Sequence, residues 1–206
     1  MLPLRSEEVR LRWGALGGWK PRNLAAQDPP LPEPEATEEL LAAMEPDVHG
    51  LTFLPLLAGE RGPGWANRAN GTIAALSMAT TSKEILRAAM EAVALRFARV
   101  AEKLDEAFPE EADSRDVATG GGLLGSRTWT RIMADALGRP ITASAVPEAS
   151  SRGAALLAIE ALGGPEIEDV EAPLSETYEP DLSRHAVYKE GLAHQREVYE
   201  TVARGG

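Results

Sequence analysis

Apolar positions recur along this chain with two periods. Between Ser82 and about Phe108, residues Leu86, Met90, Val93, Phe97, Val100 and Leu104 step by four and three. That spacing predicts one long helix ending before Pro109, with a continuous apolar stripe read as a buried core face. A coiled-coil partner is the alternative. Between Ser126 and Gly138, residues Trp129, Ile132, Met133, Ala136 and Leu137 fall at i, i+3, i+4, i+7 and i+8, which is one face of a second helix. Ser126 is placed to cap it, and Gly138 with Pro140 stops it. Leu51 to Ala58 (LTFLPLLA) is an apolar run of strand length broken by Pro55. Thr72 to Leu76, behind the Asn70-Gly71 turn signal, and Pro140 to Val146 read as further strands.

The remaining segments fit around these. Thr37 is read as the cap of a short helix carrying Leu40, Leu41 and Met44. Glu148 to Leu162 is a helix of small residues, and a closing helix from near Asp181 to Val202 carries Tyr188, Leu192, Tyr199 and Val202 on one side. Val9, Leu11 and Trp13 alternate with arginines as an edge strand would. The prolines of residues 20–36 make an exposed connection, and residues 165–180, acidic and proline-bearing, read as surface loop. Strands alternating with helices argue an α/β fold.

Composition narrows the function classes. The formal net charge of −11 repels a phosphate backbone, so no nucleic-acid partner is expected. The absence of cysteine removes disulfide and thiolate chemistry and makes the cytoplasm the natural compartment. No apolar run approaches the length of a membrane span, so no membrane partner is expected. The N-terminus has acids where a signal peptide has its apolar core.

The stretch richest in chemistry is VATGGGLLGSRTWTRIMADALGRP, from Val117 to Pro140. It reads as a strand end, a glycine turn at Gly120, Gly121 and Gly122, and a helix beginning near Ser126. Glycines admit close approach to the main chain, and a helix N-terminus favours an anion, phosphate above all. A ligand-free turn is the plain alternative. Gly120 to Gly125 also matches G-x-G-x-x-G, with Glu148 downstream where a dinucleotide site keeps its ribose acid. Against that NAD-binding reading, Ser114, Arg115 and Asp116 make the preceding strand polar, and Glu148 suits helix capping. Glu60 and Arg61 in the GERGPGW loop form either an ion pair or a ligand contact. His49, His185 and His194 are far apart and read as loop or surface residues; with no cysteine and no H-E-x-x-H, no metal site is indicated.

Four segments taken together resemble the C-terminal half of the FGGY carbohydrate kinases. They are GLTFLPLLAGERGPGW (50–65), the long helix after ATTSKEIL, ATGGGLLGSRTWTRIMADALGRPI (118–141) and PEASSRGAALLAIEAL (147–162). The terminal YEPDLSRHAVYKEGLAHQREVYE (178–200) is similar to that family's closing helix. The GERGPGW loop and the two-leucine insert after the glycines look most like the gluconate-kinase branch.

The resemblance implies an actin-like ATPase domain of ribonuclease-H-like type, the C-terminal half of a two-domain sugar kinase that uses ATP and Mg²⁺. It puts Gly120, Gly121 and Gly122 against the nucleotide phosphates, Ser126 near the adenine, and Glu60, Arg61 and Trp65 in a loop on the substrate side. It implies a degenerate N-terminal segment and connection at 1–49, the nucleotide-side domain at 50–165, and an acidic loop with closing helix at 166–206. The family's catalytic aspartate belongs to its N-terminal half, so no catalytic residue is assigned here; GALGGW (14–19) is at most a remnant of the segment that follows that half's motifs. The implied reaction moves the γ-phosphate of ATP to a sugar or sugar acid, gluconate or a related pentulose or polyol. The chain alone is expected to be inactive and to partner an N-terminal kinase domain from the same or a split gene, with self-association a further expectation. A non-catalytic binding or assembly module that keeps the fold is the second reading, and an NAD-binding domain the third.

Overall fold

The computed structural model describes residues 34–111, 116–118, 121–146 and 148–204, all within the unit Pro32–Gly206. Among them are six α-helices, two short 3-10 turns and five strands. Helix α1 (Pro34–Ala42) leads to an antiparallel pair, β1 (Thr52–Leu54) and β2 (Thr72–Ala74). Helix α2 (Ser82–Ala107) follows. Then come β3 (Asp116–Ala118), the one-turn helix α3 (Gly121–Leu124), α4 (Arg127–Leu137) and β4 (Ile141–Ser144). Helix α5 (Ala149–Ala161), β5 (Leu174–Tyr178) and α6 (Leu182–Arg204) complete the order. The larger sheet runs β3-β4-β5, with β3 parallel to β4 and β5 antiparallel to it.

Local sequence explains most element ends. Helix α2 opens at Ser82, as read, and Thr81 caps it: its hydroxyl accepts from the Glu84 amide while the Glu84 carboxylate accepts from the Thr81 amide, a reciprocal capping box. Gly138 ends α4 at φ +69°, in the left-handed region where a side chain is strained. Pro55 limits β1 to three residues. Helix α1 starts at Pro34, where the fixed φ of proline suits the first turn, so Thr37 lies inside the helix and does not cap it.

The main core gathers Leu95 and Ala98 of α2, Ile132, Met133 and Ala136 of α4, Ile141 of β4, and Tyr188 and Leu192 of α6. A smaller cluster of Leu54, Leu56 and Ala69 packs against Val198, Tyr199 and Val202. Two expectations are corrected here. The apolar stripe of α2 is buried only in part: Leu86, Met90 and Val93 are half-buried, with Met90 against the core, but Phe97 is 56% exposed and Leu104 54%, with Val100 exposed between them. The buried face is the alanine-rich one, Ala88, Ala92, Ala94, Leu95 and Ala98, because small residues let α4 and α6 approach closely. Residues 165–180 are not all loop. Leu174–Tyr178 adds to β4 as an edge strand, held by the Thr142–Thr177 hydroxyl contact at 2.9 Å and by the Ser175 hydroxyl donating to the Ala143 carbonyl. The strand expected near Val9 lies outside the described residues.

Candidate functional site

Strands β3 and β4 are parallel, so their C-terminal ends, Ala118 and Ser144, share one edge of the sheet. Helices α3 and α5 start beyond that edge, at Gly121 and Ala149. In α/β sheets this edge is where ligands bind, because helix starts point unpaired amides at it. Gly121 and Gly122 form the first two positions of α3, so they belong to a helical turn and not to an open loop. Thr119 and Gly120 lie outside the described residues. The buried Thr130 hydroxyl donates to the Leu123 carbonyl at 2.9 Å and so fixes α3 on the start of α4.

Ser126 is the N-cap of α4, as its position after the glycines implied, and its hydroxyl accepts from the Trp129 amide at 3.0 Å. A second group closes the same helix start. Glu38, on α1, accepts the Ser126 hydroxyl at 2.8 Å and the Thr128 amide at 2.6 Å. Burial opposes the charged form of Glu38, but the Thr128 amide, the Ser126 hydroxyl and the Thr128 hydroxyl outweigh it, and its carboxyl lies below the ordinary range. The α4 terminus therefore already holds an anion, supplied from within the chain. Glu148, read as a helix cap, does occupy the N-cap position of α5 but makes no capping hydrogen bond.

In the GERGPGW loop, Glu60 and Arg61 are not partners. Glu60 is 4% exposed and pairs with Arg96 of α2, while Arg61 is exposed. The Tyr199 hydroxyl donates to the other Glu60 oxygen at 2.5 Å, and the Arg96 guanidinium lies 5.2 Å from the Tyr199 ring centre. Burial and the Glu60 charge push the Tyr199 hydroxyl up to about 12, so it stays a donor. A methyl group at Gly64 would collide with that hydroxyl, which is why the loop needs glycine there. Trp65 stands 76% exposed at φ +57°, a strained backbone with an uncovered indole.

A further polar cluster was invisible in sequence. Asp47, His49 and Glu91 each place one ligand-type atom within 4.8 Å of the others. His49 is not a surface residue: its side chain is 2% exposed, its Nδ1 accepts the Leu51 amide at 2.9 Å, and its Nε2 lies 3.0 Å from Glu91. Arg87 donates to the other Glu91 oxygen at 2.5 Å, to the Leu41 carbonyl at 2.8 Å and to the Tyr188 hydroxyl at 3.1 Å. Burial opposes the charge on Glu91, yet the His49 and Arg87 contacts hold its carboxyl below the ordinary range. Both His49 nitrogens and both Glu91 oxygens are thus engaged within the protein. The chemistry is that of a buried ion-pair network joining α1, α2 and α6, neutralised by Arg87. His185 turns its Nδ1 to the Asp135 carbonyl at 2.9 Å, and His194 is exposed.

Comparison with known proteins matches this chain to "FGGY family of carbohydrate kinases, C-terminal domain" over residues 9–162. The match begins upstream of Gly50. A glycerol kinase of Ralstonia nicotianae is 34% identical over 154 residues, covering 72% of this chain and 30% of that protein. A glycerol kinase of Citrifermentans bemidjiense is 31% identical over 148 residues, again covering 30% of its length. Among solved structures, a xylulose kinase from Rhodospirillum rubrum superposes with a TM-score of 0.64 at 34% identity, covering 81% of this chain and 34% of that one. A gluconate kinase from Lactobacillus acidophilus, 24% identical, shares the fold at a TM-score of 0.68, over 82% of this chain and 35% of that one. The chain thus spans about a third of the length of these relatives.

Proposed function

The chain belongs to the FGGY family of carbohydrate kinases, as a C-terminal domain with the actin-like ATPase fold, and from that premise we propose that it is the nucleotide-side part of an ATP-dependent sugar kinase. Family membership displaces the dinucleotide reading. The observation that carries the proposal is the start of α3 at Gly121 and Gly122, just beyond the C-terminal end of β3. Bound MgATP would supply the γ-phosphoryl group and its charge compensation. The chain's own part is to hold the phosphates: amides in the first turn of a helix, where Gly121 and Gly122 stand, make no intrahelical hydrogen bond, and neither residue has a Cβ to keep an oxygen away.

The residues fit a phosphate at α3 and not at α4, where Glu38 already sits. Ser126 donates to Glu38 and accepts from Trp129, which leaves its hydroxyl one lone pair. A lone pair suits a donor such as the adenine amino group and would repel a phosphate oxygen. The Glu60, Arg61 and Trp65 loop is assigned to the substrate side, with Arg61 and Trp65 the exposed members. For the acceptor we favour a sugar acid, on the GERGPGW loop and the two-leucine insert, over the polyol and pentulose that glycerol and xylulose kinases are named for. The N-terminal domain that would supply the catalytic base is the proposed partner.

Calorimetric titration of ATP, ADP and NAD into the chain and into Gly121→Val tests the reading. ATP and ADP should bind weakly to the first and not to the second. Binding of NAD without ATP would overturn it, and so would binding of no nucleotide at all. The acceptor is tested on the chain joined to an N-terminal half, with gluconate, xylulose and glycerol in parallel. A second reading, a binding or assembly module without chemistry, is favoured by the internal carboxylate at α4; it requires nucleotide binding without turnover in that joined protein.

A further inference from the structure

Arg96, Arg99 and Lys103 fall at i, i+3 and i+7 of α2, so the helix presents all three on one face. Arg196 faces them from α6. Together they line a cavity of about 180 Å³, with Tyr199, Leu192 and Gly64 among its other walls. The chain has 21 basic residues against 32 acidic ones, so four cations around one cavity run against its composition.

The lining carries these four cations against two acids, Glu60 and Glu200, while Glu102 and Glu106 pair with them from outside it. Glu60, in the wall, is held by both Arg96 and the Tyr199 hydroxyl. Arg99 and Arg196 share a single oxygen, Oε2 of Glu102, with Arg99 Nη1 at 3.2 Å and Arg196 Nη2 also in contact. Lys103 donates to Glu106 at 2.5 Å. Glu200, the other acid in the lining, is also engaged. Two guanidiniums from different helices converge on one carboxylate oxygen. Each of these arginines has further N–H groups beyond the one given to Glu102.

We propose that this cavity binds a phosphoryl group, carried by inorganic phosphate or by a small phosphate monoester. A guanidinium fork matches two oxygens of a phosphate, and two forks approaching from different helices suit a tetrahedral group better than a flat carboxylate. Arg96 is pre-positioned, because Glu60 and the Tyr199 ring fix it; Arg99, Lys103 and Arg196 are more exposed and can turn onto a ligand. The Leu192 side chain and the Tyr199 ring offer an apolar wall for the carbon part of an ester. The site uses α2 and α6 and shares no residue with the Gly121–Ser126 stretch, so it stands whether or not the nucleotide assignment holds. A bound phosphate would bridge the two helices.

The test is a titration of the full chain in low-salt buffer, read by backbone amide shifts, with inorganic phosphate in one arm and glycerol 3-phosphate in the other. Saturable shifts should appear at residues 96–103 and 195–200 in at least one arm. Arg196→Gln and Arg99→Gln should each weaken binding by about tenfold. Their unliganded melting temperatures should stay close to that of the parent, since Glu102 keeps one arginine in each case. Lys83→Gln, at an exposed lysine elsewhere on α2, should leave binding unchanged. Equal affinity in the two arms assigns the site to the phosphate group itself; a preference for glycerol 3-phosphate of about tenfold or more assigns it to an ester. Shifts that chloride reproduces at equal ionic strength, shifts that never saturate, or binding indifferent to both arginine variants would overturn the proposal.

Discussion

Glu38 shows how one carboxylate can decide what a helix terminus does. It takes the Thr128 amide and the Ser126 hydroxyl, so removing it leaves both without that acceptor. Glu38→Ala should destabilise the chain by about 1–2 kcal/mol, the range for a half-exposed charged cap. Because its folded carboxyl is held below the ordinary range, this stability is present at neutral pH and is lost as pH falls through the folded value. Urea unfolding of parent and variant at pH 7 and in mild acid should show the gap closing on the acid side; an equal gap at both would exclude the charge as its source. Glu91 is the more severe case. Glu91→Ala strands the buried Arg87 and should cost about 3–5 kcal/mol, whereas replacing both residues with leucine should cost less than the single change. Denaturant midpoints for Glu91→Ala and for the double leucine variant measure that difference.

At the scale of elements, helix ends were legible because their signals are local. Ser126, Gly138 and Pro140 sit within one turn of what they terminate. The faces of α2 were less legible. Periodicity identified an apolar stripe, but which stripe is buried depends on what packs against the helix, and α4 and α6 chose the alanines and the Arg87–Glu91 pair. Strand β5 was missed for a related reason: Leu174–Tyr178 pairs only along one edge, and the acids and prolines that flank it mimic a loop. The candidate site was partly readable. The glycines and Ser126 stood out as a motif, but Glu38 with Ser126, Arg96 and Tyr199 with Glu60, and Glu91 with His49 act across separations that no spacing rule spans. The exposed stripe predicts that Phe97→Glu with Val100→Glu leaves the melting temperature nearly unchanged, since neither side chain is in the core. If that face is where copies of the chain associate, light scattering of the double variant should show a smaller species than the parent. A loss of stability comparable to a core substitution would mean the face is covered in solution.

For the whole molecule, the family assignment and the share of the relatives' length bear on activity together. Phosphoryl transfer needs nucleophile, base and metal held at once, and this chain covers 30% of the glycerol kinases it matches. The isolated chain is therefore expected to give no ATP-dependent phosphorylation of gluconate, xylulose or glycerol in a coupled assay. Robust turnover on any of them would place the full catalytic apparatus within these residues. Among those described, no helix is long and apolar enough to cross a membrane.

The Glu38 bridge also makes one proton a reporter. The Thr128 amide lies against a carboxylate borne on α1, a separate helix of nine residues. That amide can trade its hydrogen for deuterium only when the bond to Glu38 breaks, whether the carboxylate turns aside or α1 moves. Its exchange rate thus reports how often the start of α4 is briefly uncovered. A ligand that prefers the uncovered terminus would quicken that exchange, and one that clamps α1 in place would slow it.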